Sequence, residues 1–303
     1  MNPSSKIRVA VLRGGPSYAY EDSLKTGSYV LSLLREMPET YDPLDIFISR
    51  DGEWHHLGLV CNPHQVLRSV HVVWNALHGP YGEDGSVQQL LESLQMPFTG
   101  SGITASAFAT NKDVAKRLYK KHSLQTPISI TLTEEDLNDD EKLIKIFRAY
   151  LHPVIVKPTT GVRALGVRMA HSFEELKEAV KKTFQHSPKV MVEEYVKGSI
   201  SSCLVLENAK GEKLYALLPT GRHPVEVNRQ IEQMAKTAHE ALGQRHYSSS
   251  DFIVTPRGKV YILETNSLPV FHEDSLAHRS LLATGWRPRD FVDHNLKLAL
   301  NLV

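Results

Sequence analysis

The chain has 303 residues, 41% of them apolar, and its 35 basic and 34 acidic side chains leave a net charge of +1. That length supports two or three domains with a buried core, and the balanced charge argues against a nucleic-acid partner. No apolar run approaches the roughly 20 residues that cross a bilayer, and the N-terminal apolar stretch is too short for a signal peptide. Because the two cysteines, Cys61 and Cys203, lie far apart in the sequence, we expect a reducing compartment and a cytoplasmic protein.

The first hundred residues have the pattern of a doubly wound α/β domain. The buried-strand run IRVAVLRGG ends in a Gly-Gly turn, and EDSLKTGSYVLSLLREM then has apolar residues at helical spacing. A second buried strand, VVWNALHG, ends at His78 and Gly79, ahead of a loop and another helix. We therefore expect one domain over residues 1–103, with ligands bound at the loops that follow its strands.

The middle of the chain is predicted to be a small domain over residues 104–187. Residues 104–124 form a helical pattern rich in Ala and Lys, and the short strand PVIVKP is closed by a proline. The loop TTGVRALGV follows, and SFEELKEAVKKTFQH then has the Ser N-cap and acidic first turn of a helix. The remaining residues, 188–303, are predicted to form a third domain of strands and helices.

A hairpin in the third domain brings polar residues together. Its sequence is DFIVTPRGKVYILETN, in which residues 255–258 fit a type I turn with Pro at the second position and Gly at the fourth. With a two- or four-residue turn, Asp251 lies opposite Ile262 or Glu264. Because alternate strand residues point the same way, we expect Asp251, Glu264 and Asn266 on one face of the sheet.

This set of two acids and an amide indicates a site for a hard cation. Two carboxylates and an amide carbonyl are oxygen ligands that suit Mg²⁺ when it also holds phosphate oxygens. Two acids at close range in an apolar sheet repel each other unless a positive charge lies between them. The alternative is that Glu264 and Asn266 end a strand in a solvated loop, and spacing alone does not separate these interpretations.

Two lysines and one strand end are candidates for nucleotide binding. Lys112 opens a helix, and Lys157 ends the buried strand PVIVKP beside a loop, where an ammonium group can meet a phosphate as a point charge. The strand end VEEYV, at residues 192–196, offers backbone groups and a carboxylate to an adenine edge. The alternatives are a solvated helix face for Lys112 and an edge strand with solvated glutamates for residues 192–196. The loop TTGVRALGV does not have the Walker A spacing.

Seven segments, taken in order, resemble the D-alanine–D-alanine ligase family of the ATP-grasp superfamily: GGPSYAYEDSLKTG, HGPYGEDG, ASAFATNKDVAK, PVIVKP, VEEYVKG, DFIV with GKVYILETNSLP, and DSLAH. HGPYGEDG and LETNSLP are the most specific of them. The resemblance covers nearly the whole chain and implies an α/β, three-domain ATP-grasp fold with an N-terminal doubly wound domain. It also implies that ATP and Mg²⁺ (or Mn²⁺) are used to join two D-alanines through an acyl phosphate for peptidoglycan.

The resemblance implies roles for individual residues as well. Glu21 matches an acid near the amino group of the first substrate, and His78 matches a histidine of the substrate site. Ser275 matches a serine that holds the carboxylate of the second substrate, so we assign it to both catalysis and substrate binding. The implied ATP-binding residues are Lys112, Lys157, Glu193, Tyr195 and Val196. The implied metal ligands are Asp251, Glu264 and Asn266.

Four positions depart from the family pattern. Arg163 stands where a serine is expected, and Ile200 replaces an acid near the ribose. Ser249 replaces an arginine that helps to stabilise the tetrahedral intermediate. A glycine is replaced by Val270, whose backbone N–H still donates, so we keep it as a substrate-binding residue. As a hypothesis, Arg163 is a catalytic residue that supplies the positive charge lost at Ser249.

The largest departure is a missing lid. Between KLYALLPTG and the next helix the family carries a long lid with a Tyr and a Lys, whereas this chain has only RHPVEVN. Without a lid the acyl phosphate meets water, which favours wasteful hydrolysis.

Three functions therefore compete. The first is a D-alanine–D-alanine ligase that binds ATP and D-alanine and, by family habit, forms a homodimer. The second is a ligase for another small amino-acid pair, and the third is a nucleotide-binding protein without ligase activity. A dinucleotide oxidoreductase is disfavoured, because LRGGPSYAY lacks the G-x-G-x-x-G spacing.

Overall fold

The computed structural model describes residues 6–161 and 166–303, and the strands within these ranges form three sheets. The first sheet contains β1 (Ile7–Gly14), β2 (Tyr41–Ile48), β3 (Trp54–His56), β4 (Leu59–Val60) and β5 (Val72–Asn75). Its strand order is β4-β3-β2-β1-β5, and β1 is parallel to both β2 and β5. Arg163 and its neighbours at 162, 164 and 165 lie outside the described residues.

Helices cover both faces of the first sheet. They are α1 (Tyr20–Arg35), α2 (Pro63–Leu67) and α3 (Ser86–Ser93). The odd-numbered residues in the centre of β1 pack with α1, and the even-numbered ones pack with α2 and α3. A parallel strand that is buried on both faces needs a continuous apolar run, which is what IRVAVL supplies. The predicted doubly wound arrangement is confirmed.

The second sheet is antiparallel and has the order β6-β9-β7-β8. Its strands are β6 (Ser129–Thr133), β7 (Val154–Pro158), β8 (Arg168–Ala170) and β9 (Lys189–Glu194). The sheet follows α4 (Ile103–Thr110) and α5 (Lys112–Lys121), and it packs against α6 (Asp140–Ala149) and α7 (Phe173–Phe184). Because β9 pairs with β6 and β7, the second sheet extends beyond residue 187, where the sequence placed a domain boundary.

The third sheet is also antiparallel, in the order β11-β10-β12-β13. Its strands are β10 (Ser199–Ala209), β11 (Glu212–Ala216), β12 (Tyr247–Val254) and β13 (Val260–Asn266). The helices of this part of the chain are α8 (Val225–Ala241), α9 (Leu276–Ala283) and α10 (Pro288–Ala299). Helix α5 packs against this sheet through Ala115 and Tyr119, and the Tyr119 hydroxyl donates to Thr265 Oγ1 at 2.8 Å. The third sheet therefore buries the apolar face of a helix that the sequence assigned to the middle domain. None of the helices in the described ranges is both long enough and apolar enough to cross a bilayer.

The β12–β13 hairpin has a three-residue loop and a β-bulge, which together set the pairing of its two strands. The type I turn is present, with Gly258 N–H donating to the Thr255 carbonyl at 2.9 Å, but the pairing of Thr255 with Lys259 leaves a three-residue loop. A loop of odd length alone would place Asp251 opposite Leu263. A β-bulge between Asp251 and Phe252 adds one residue to β13, so that Asp251 pairs with Glu264. The expected turn length was wrong, and of the two pairings that the sequence left open the structure has Asp251 opposite Glu264.

Candidate active site

The predicted metal ligands lie in a row across the third sheet. Asp251 is paired with Ser202 on one side and with Glu264 on the other. Ser202 Oγ donates to Asp251 Oδ1 at 2.5 Å, and Asn266 Nδ2 lies 3.4 Å from Asp251 Oδ2. All four side chains line one cavity of about 350 Å³. The structure thus brings Asp251, Glu264 and Asn266 together, and it adds Ser202, which the sequence analysis had not singled out.

The row carries negative charge that its protein neighbours only partly balance. Burial raises the pKa of Asp251 to about 6, and the charge of Glu264 acts in the same direction. The hydrogen bonds from Ser202 and Asn266 oppose this rise. On the far side of the row, Lys112 Nζ lies 3.0 Å from Glu264 Oε2 and donates to the carbonyl of Gly161 at 2.7 Å. Lys112 therefore joins the loop after β7 to the metal-ligand row.

The donor set of this row fits Mg²⁺. Groups of three or more His, Cys, Asp or Glu side chains that could hold a metal do not occur among the described residues, so the set depends on the amide of Asn266 beside two carboxylates. A half-turn of that amide exchanges its nitrogen and oxygen, and its oxygen then joins those of Asp251 and Glu264. Burial first and the charge of Glu264 second raise the pKa of Asp251, and a cation between the two facing carboxylates would offset both effects.

A second acidic side chain, Glu193, lies between two lysines. Lys157 Nζ is 2.7 Å from Glu193 Oε1, and Lys116 Nζ is 2.5 Å from Glu193 Oε2. Burial acts to raise the pKa of Glu193, but the charges of Lys157 and Lys116 outweigh it and hold the pKa below its ordinary value. Burial lowers the pKa of Lys116 to about 8, and Lys116 also donates to the Pro127 carbonyl at 2.6 Å.

The sequence analysis missed Lys116, although a signal for it exists. Lys116 lies four residues after Lys112 on α5, and residues four apart share a helix face. Both lysines are buried, at 3% and 8% exposure, whereas Lys120, one turn further on, is exposed. A buried lysine on the same face as a predicted phosphate ligand is a candidate for the same cleft.

His78 belongs to a buried hydrogen-bonded network behind the cavity. Its Nδ1 lies 3.2 Å from Glu83 Oε1, and its Nε2 lies 2.9 Å from Thr26 Oγ1. The Glu83 carboxylate can only accept, so Nδ1 of His78 donates to it. Thr26 Oγ1 in turn accepts from Phe271 N–H at 3.3 Å. The network links the first sheet to the loop after β13, and it adds Glu83, which lines the cavity.

Ser275 and Val270 line the same cavity as the metal-ligand row. Ser275 is the N-cap of α9, and its hydroxyl oxygen accepts from the backbone N–H groups of His278 and His272, both at 3.2 Å. A Ser N-cap followed by an apolar helix is readable in the sequence. The two predicted substrate residues therefore share a cavity with the predicted metal ligands.

Glu21, Tyr195 and Val196 are not brought into this cavity. The Glu21 side chain is 71% exposed and lies 3.3 Å from Arg50 Nη2 on the surface of the first sheet. Tyr195, which is 42% exposed, and Val196 follow β9 in the connection to the third sheet. Ile200, at the start of β10, is 60% exposed. Ser249 lines the cavity opposite Asn266.

The chain is similar throughout its length to one family. Family models described as the N-terminus and the C-terminus of D-ala D-ala ligase match residues 59–101 and, in two segments, residues 118–219 and 216–297. A D-alanine–D-alanine ligase of Geotalea uraniireducens is 33% identical over 319 residues, which cover 96% of this chain and 95% of that protein.

Two solved structures share the fold. The D-alanine–D-alanine ligase from Coxiella burnetii superimposes with a TM-score of 0.86 at 24% identity, over 98% of this chain and 94% of that one. The D-alanine–D-alanine ligase from Bacillus anthracis, solved in complex with ATP, superimposes with a TM-score of 0.79 at 25% identity, over 98% of both chains. With family models that match most of its length and a relative that is 33% identical over 96% of it, the chain belongs to the D-alanine–D-alanine ligase family.

Proposed function

We propose that the protein is an ATP-dependent ligase that joins two D-alanines for peptidoglycan precursor synthesis. The observation that carries this proposal is the single cavity that Asp251, Glu264 and Asn266 line together with Val270 and Ser275. The first three residues suit a cation and phosphate oxygens, and the other two suit an amino-acid substrate. The family relationship supplies the reaction.

ATP is proposed to bind between the second and third sheets. Lys112 and Lys157 meet its phosphates as point charges, and Glu193, Tyr195 and Val196 lie along the adenine side. Lys112 contacts Glu264 and Lys157 contacts Glu193, so a carboxylate holds each ammonium group in place. Asp251, Glu264 and Asn266 would hold Mg²⁺ or Mn²⁺, which would neutralise charge on the transferred phosphoryl group.

The chemistry requires positioning more than covalent catalysis. A carboxylate oxygen of the first D-alanine attacks the γ-phosphorus of ATP, and ADP leaves. The amine of the second D-alanine then attacks the acyl carbon of the acyl phosphate, and inorganic phosphate leaves. The Val270 N–H donates to the oxygen that becomes negative in the second step, and Ser275 binds the carboxylate of the second substrate.

The short connection before α8 has a chemical consequence. The two matched segments of the C-terminal family model meet at residues 216–219, close to the RHPVEVN segment that replaces the lid, and α8 begins at Val225. We propose that the acyl phosphate is less shielded from water than in lid-bearing enzymes. The enzyme is then expected to release more phosphate than dipeptide.

We further propose a domain division and an assembly. The division is the expected one, 1–103, 104–187 and 188–303, with one change. The second boundary is proposed to lie after Glu194, so that β9 stays in the second sheet. The protein is proposed to act in the cytoplasm as a homodimer. Light scattering that gives the mass of a single chain, 34.0 kDa, would refute the dimer.

The test is a coupled phosphate-release assay with ATP, Mg²⁺ and D-alanine, with the products identified by mass spectrometry. The proposal predicts D-alanine-dependent phosphate release together with D-alanyl-D-alanine. Release that depends on a different amino acid would replace the substrate assignment. Nucleotide binding without turnover would refute the ligase proposal altogether.

A further inference from the structure

The face of the third sheet that carries Asp251 continues toward the hairpin turn as an apolar surface. Ser202 pairs with Asp251 across β10 and β12, and two residues further along Ile200 pairs with Ile253. Because alternate residues of a strand point the same way, Ile200 and Ile253 lie on the face that carries Asp251. Tyr261 of β13 pairs with Ile253 on its other side, so two strand spacings, about 9.6 Å, separate Tyr261 from Ile200. Ile200 is 60% exposed and offers its apolar side chain to a ligand.

The polar neighbours of Ile200 in the chain serve the opposite face of the sheet. Phe252 and Val254, the alternate residues of β12, are buried in the core beneath that face. Ser199 alternates with Ile200 on β10, and its hydroxyl lies 3.5 Å from the Val254 carbonyl oxygen. Lys197 and Ser199 line a separate cavity together with Val254. The surface formed by Ile200 therefore remains apolar although polar residues precede it in the sequence.

The two ends of the proposed nucleotide site lie on either side of this apolar surface. Residues 195–196, on the adenine side, lead through Gly198 into β10. Gly198 packs so closely on β12 that a Cβ there would overlap a carbonyl oxygen of that strand. Asp251, at the phosphate end, is two residues from Ile253, which is about 6.6 Å along a strand. Because the sugar of a nucleotide joins its base to its phosphates, the sugar crosses this interval.

The amino-acid end of the site lies in the other direction along β12. Ser249, two residues before Asp251, lines the cavity that also contains Val270 and Ser275. A nucleotide whose phosphates lie at Asp251 therefore extends away from Ser249 and toward Ile253. This direction follows from the third sheet and does not depend on the loop after β7.

We propose that Ile200 determines the sugar specificity of the nucleotide site, because its side chain packs against the sugar and forms no hydrogen bond with the 2′- and 3′-hydroxyl groups. An aliphatic side chain contacts the carbon atoms of ribose and deoxyribose alike, whereas a carboxylate at the same place would favour ribose. Since Ile200 is largely exposed, water still solvates the sugar hydroxyls. The ligand class is an adenine nucleotide with either sugar, and the inference rests on the proposed binding of ATP between the second and third sheets.

The test measures, by calorimetry with Mg²⁺, the binding of adenylyl imidodiphosphate and of its 2′-deoxy and 3′-deoxy forms. The unmodified protein should bind all three with Kd values within about threefold, which is less than the roughly fivefold that a typical hydrogen bond contributes. A larger preference for ribose would overturn the proposal, because it would show that a hydrogen bond of the protein reaches the sugar hydroxyls.

Substitution of Ile200 should create the missing specificity. Ile200→Glu should prefer ribose by roughly 10- to 100-fold, the value of hydrogen bonds to a charged group. Ile200→Gln, which hydrogen-bonds without a charge, should prefer ribose by roughly fivefold. If both variants fold, as judged by thermal melting, and neither prefers ribose, Ile200 does not lie beside the sugar and the proposal fails.

A matched control separates a local contact from a general effect of charge. Leu59→Glu places the same new carboxylate on the first sheet, at a side chain that is 73% exposed. The ratios of the three Kd values in Leu59→Glu should equal those of the unmodified protein. A ribose preference in Leu59→Glu as large as in Ile200→Glu would overturn the assignment to Ile200.

Turnover distinguishes this inference from the ligase proposal on which it rests. If the protein makes dipeptide, dATP should support the reaction with a kcat/KM within about threefold of that for ATP, since no hydrogen bond is lost. A protein that binds the three analogues equally and makes no dipeptide would refute the ligase function and keep the role of Ile200. A protein that binds no adenine nucleotide would refute both.

Discussion

Two acidic clusters in this molecule contain the same kinds of side chain and have opposite electrostatics. Glu193 lies between Lys116 and Lys157, one on each carboxylate oxygen, and its pKa is held below the ordinary value. Asp251 faces another acid, Glu264, and its pKa is raised to about 6, first by burial and then by that neighbour. In the first cluster the chain itself balances the charge. In the second it leaves negative charge for a ligand to balance.

The comparison separates an acid that lysines of the chain neutralise from a pair of acids that a bound cation would neutralise. The Glu193 cluster holds α5 to the second sheet whether or not ATP is bound, because Lys116 also donates to the carbonyl of Pro127. The repulsion between the carboxylates of Asp251 and Glu264 is relieved when a cation binds between them. Substitutions in the two clusters should therefore affect different properties.

The largest expected effect is a loss of turnover when the Asp251–Glu264 pair is changed. Asp251→Asn removes one metal-ligand oxygen and should lower kcat by on the order of 10²–10³, as for loss of other groups that stabilise developing charge. The same change removes the repulsion with Glu264, so thermal melting of the metal-free protein should be unchanged or raised. Lower stability together with normal kcat would reverse the roles given to the two clusters.

The second largest expected effect is a loss of stability when the cluster of Glu193, Lys116 and Lys157 is broken. Lys116→Met leaves Glu193 buried with one lysine in place of two. We expect a loss in the free energy of unfolding near the lower end of the roughly 3–5 kcal/mol that breaking a buried ion pair costs, because Lys157 remains. Urea denaturation measures it, with Lys120→Met on the exposed face of α5 as the matched control. Equal stability of the two variants would show that Lys116 is not structural.

The third largest expected effect is a loss of turnover when the positive charge of Arg163 is removed. Ser249 lies opposite Asn266, next to the Asp251–Glu264 pair. The family pattern has an arginine at this position. If Arg163 compensates, Arg163→Ala should lower kcat by roughly tenfold or more and leave the melting temperature unchanged. Unchanged turnover in Arg163→Ala would dismiss the compensation.

The smallest effect is a pH dependence. The raised pKa of Asp251 means that the folded chain keeps a proton that the unfolded chain releases above its ordinary pKa of 3.8. The resulting stabilisation of the metal-free protein is complete below pH 3.8 and is lost as the pH rises through about 6. Mg²⁺ affinity should rise with pH up to about 6 and then level off.

Ser202→Ala sharpens that test. The Ser202 hydroxyl donates to Asp251 and favours the carboxylate, so its removal should move the pH midpoint of Mg²⁺ affinity upward by up to about one unit. Titration of Mg²⁺ binding by calorimetry at several pH values measures both profiles. A midpoint that moves downward, or not at all, would show that this hydrogen bond does not tune Asp251.

The sequence predicted much of this arrangement because strand alternation is strict. Glu264 and Asn266 share a face because residues two apart in a strand point the same way, whereas the pairing of Asp251 with Glu264 depends on the bulge. The three-residue turn and its compensating bulge did not follow, because a bulge depends on the pairing of both strands. Lys116 was missed because its role appears only when α5 packs on the sheets. Glu21 was expected in the site, but α1 directs it to Arg50 at the surface.

The most direct test of the account is the Mg²⁺ dependence of binding of a non-hydrolysable ATP analogue, measured by calorimetry in the unmodified protein and in Asp251→Asn. Asp251→Asn leaves Lys112 and Lys157 in place, so only the cation site changes. The account predicts that Mg²⁺ tightens binding to the unmodified protein by at least about tenfold and that this gain is largely lost in the variant. The same Mg²⁺ dependence in both proteins would contradict the assignment of Asp251, Glu264 and Asn266 as the metal ligands.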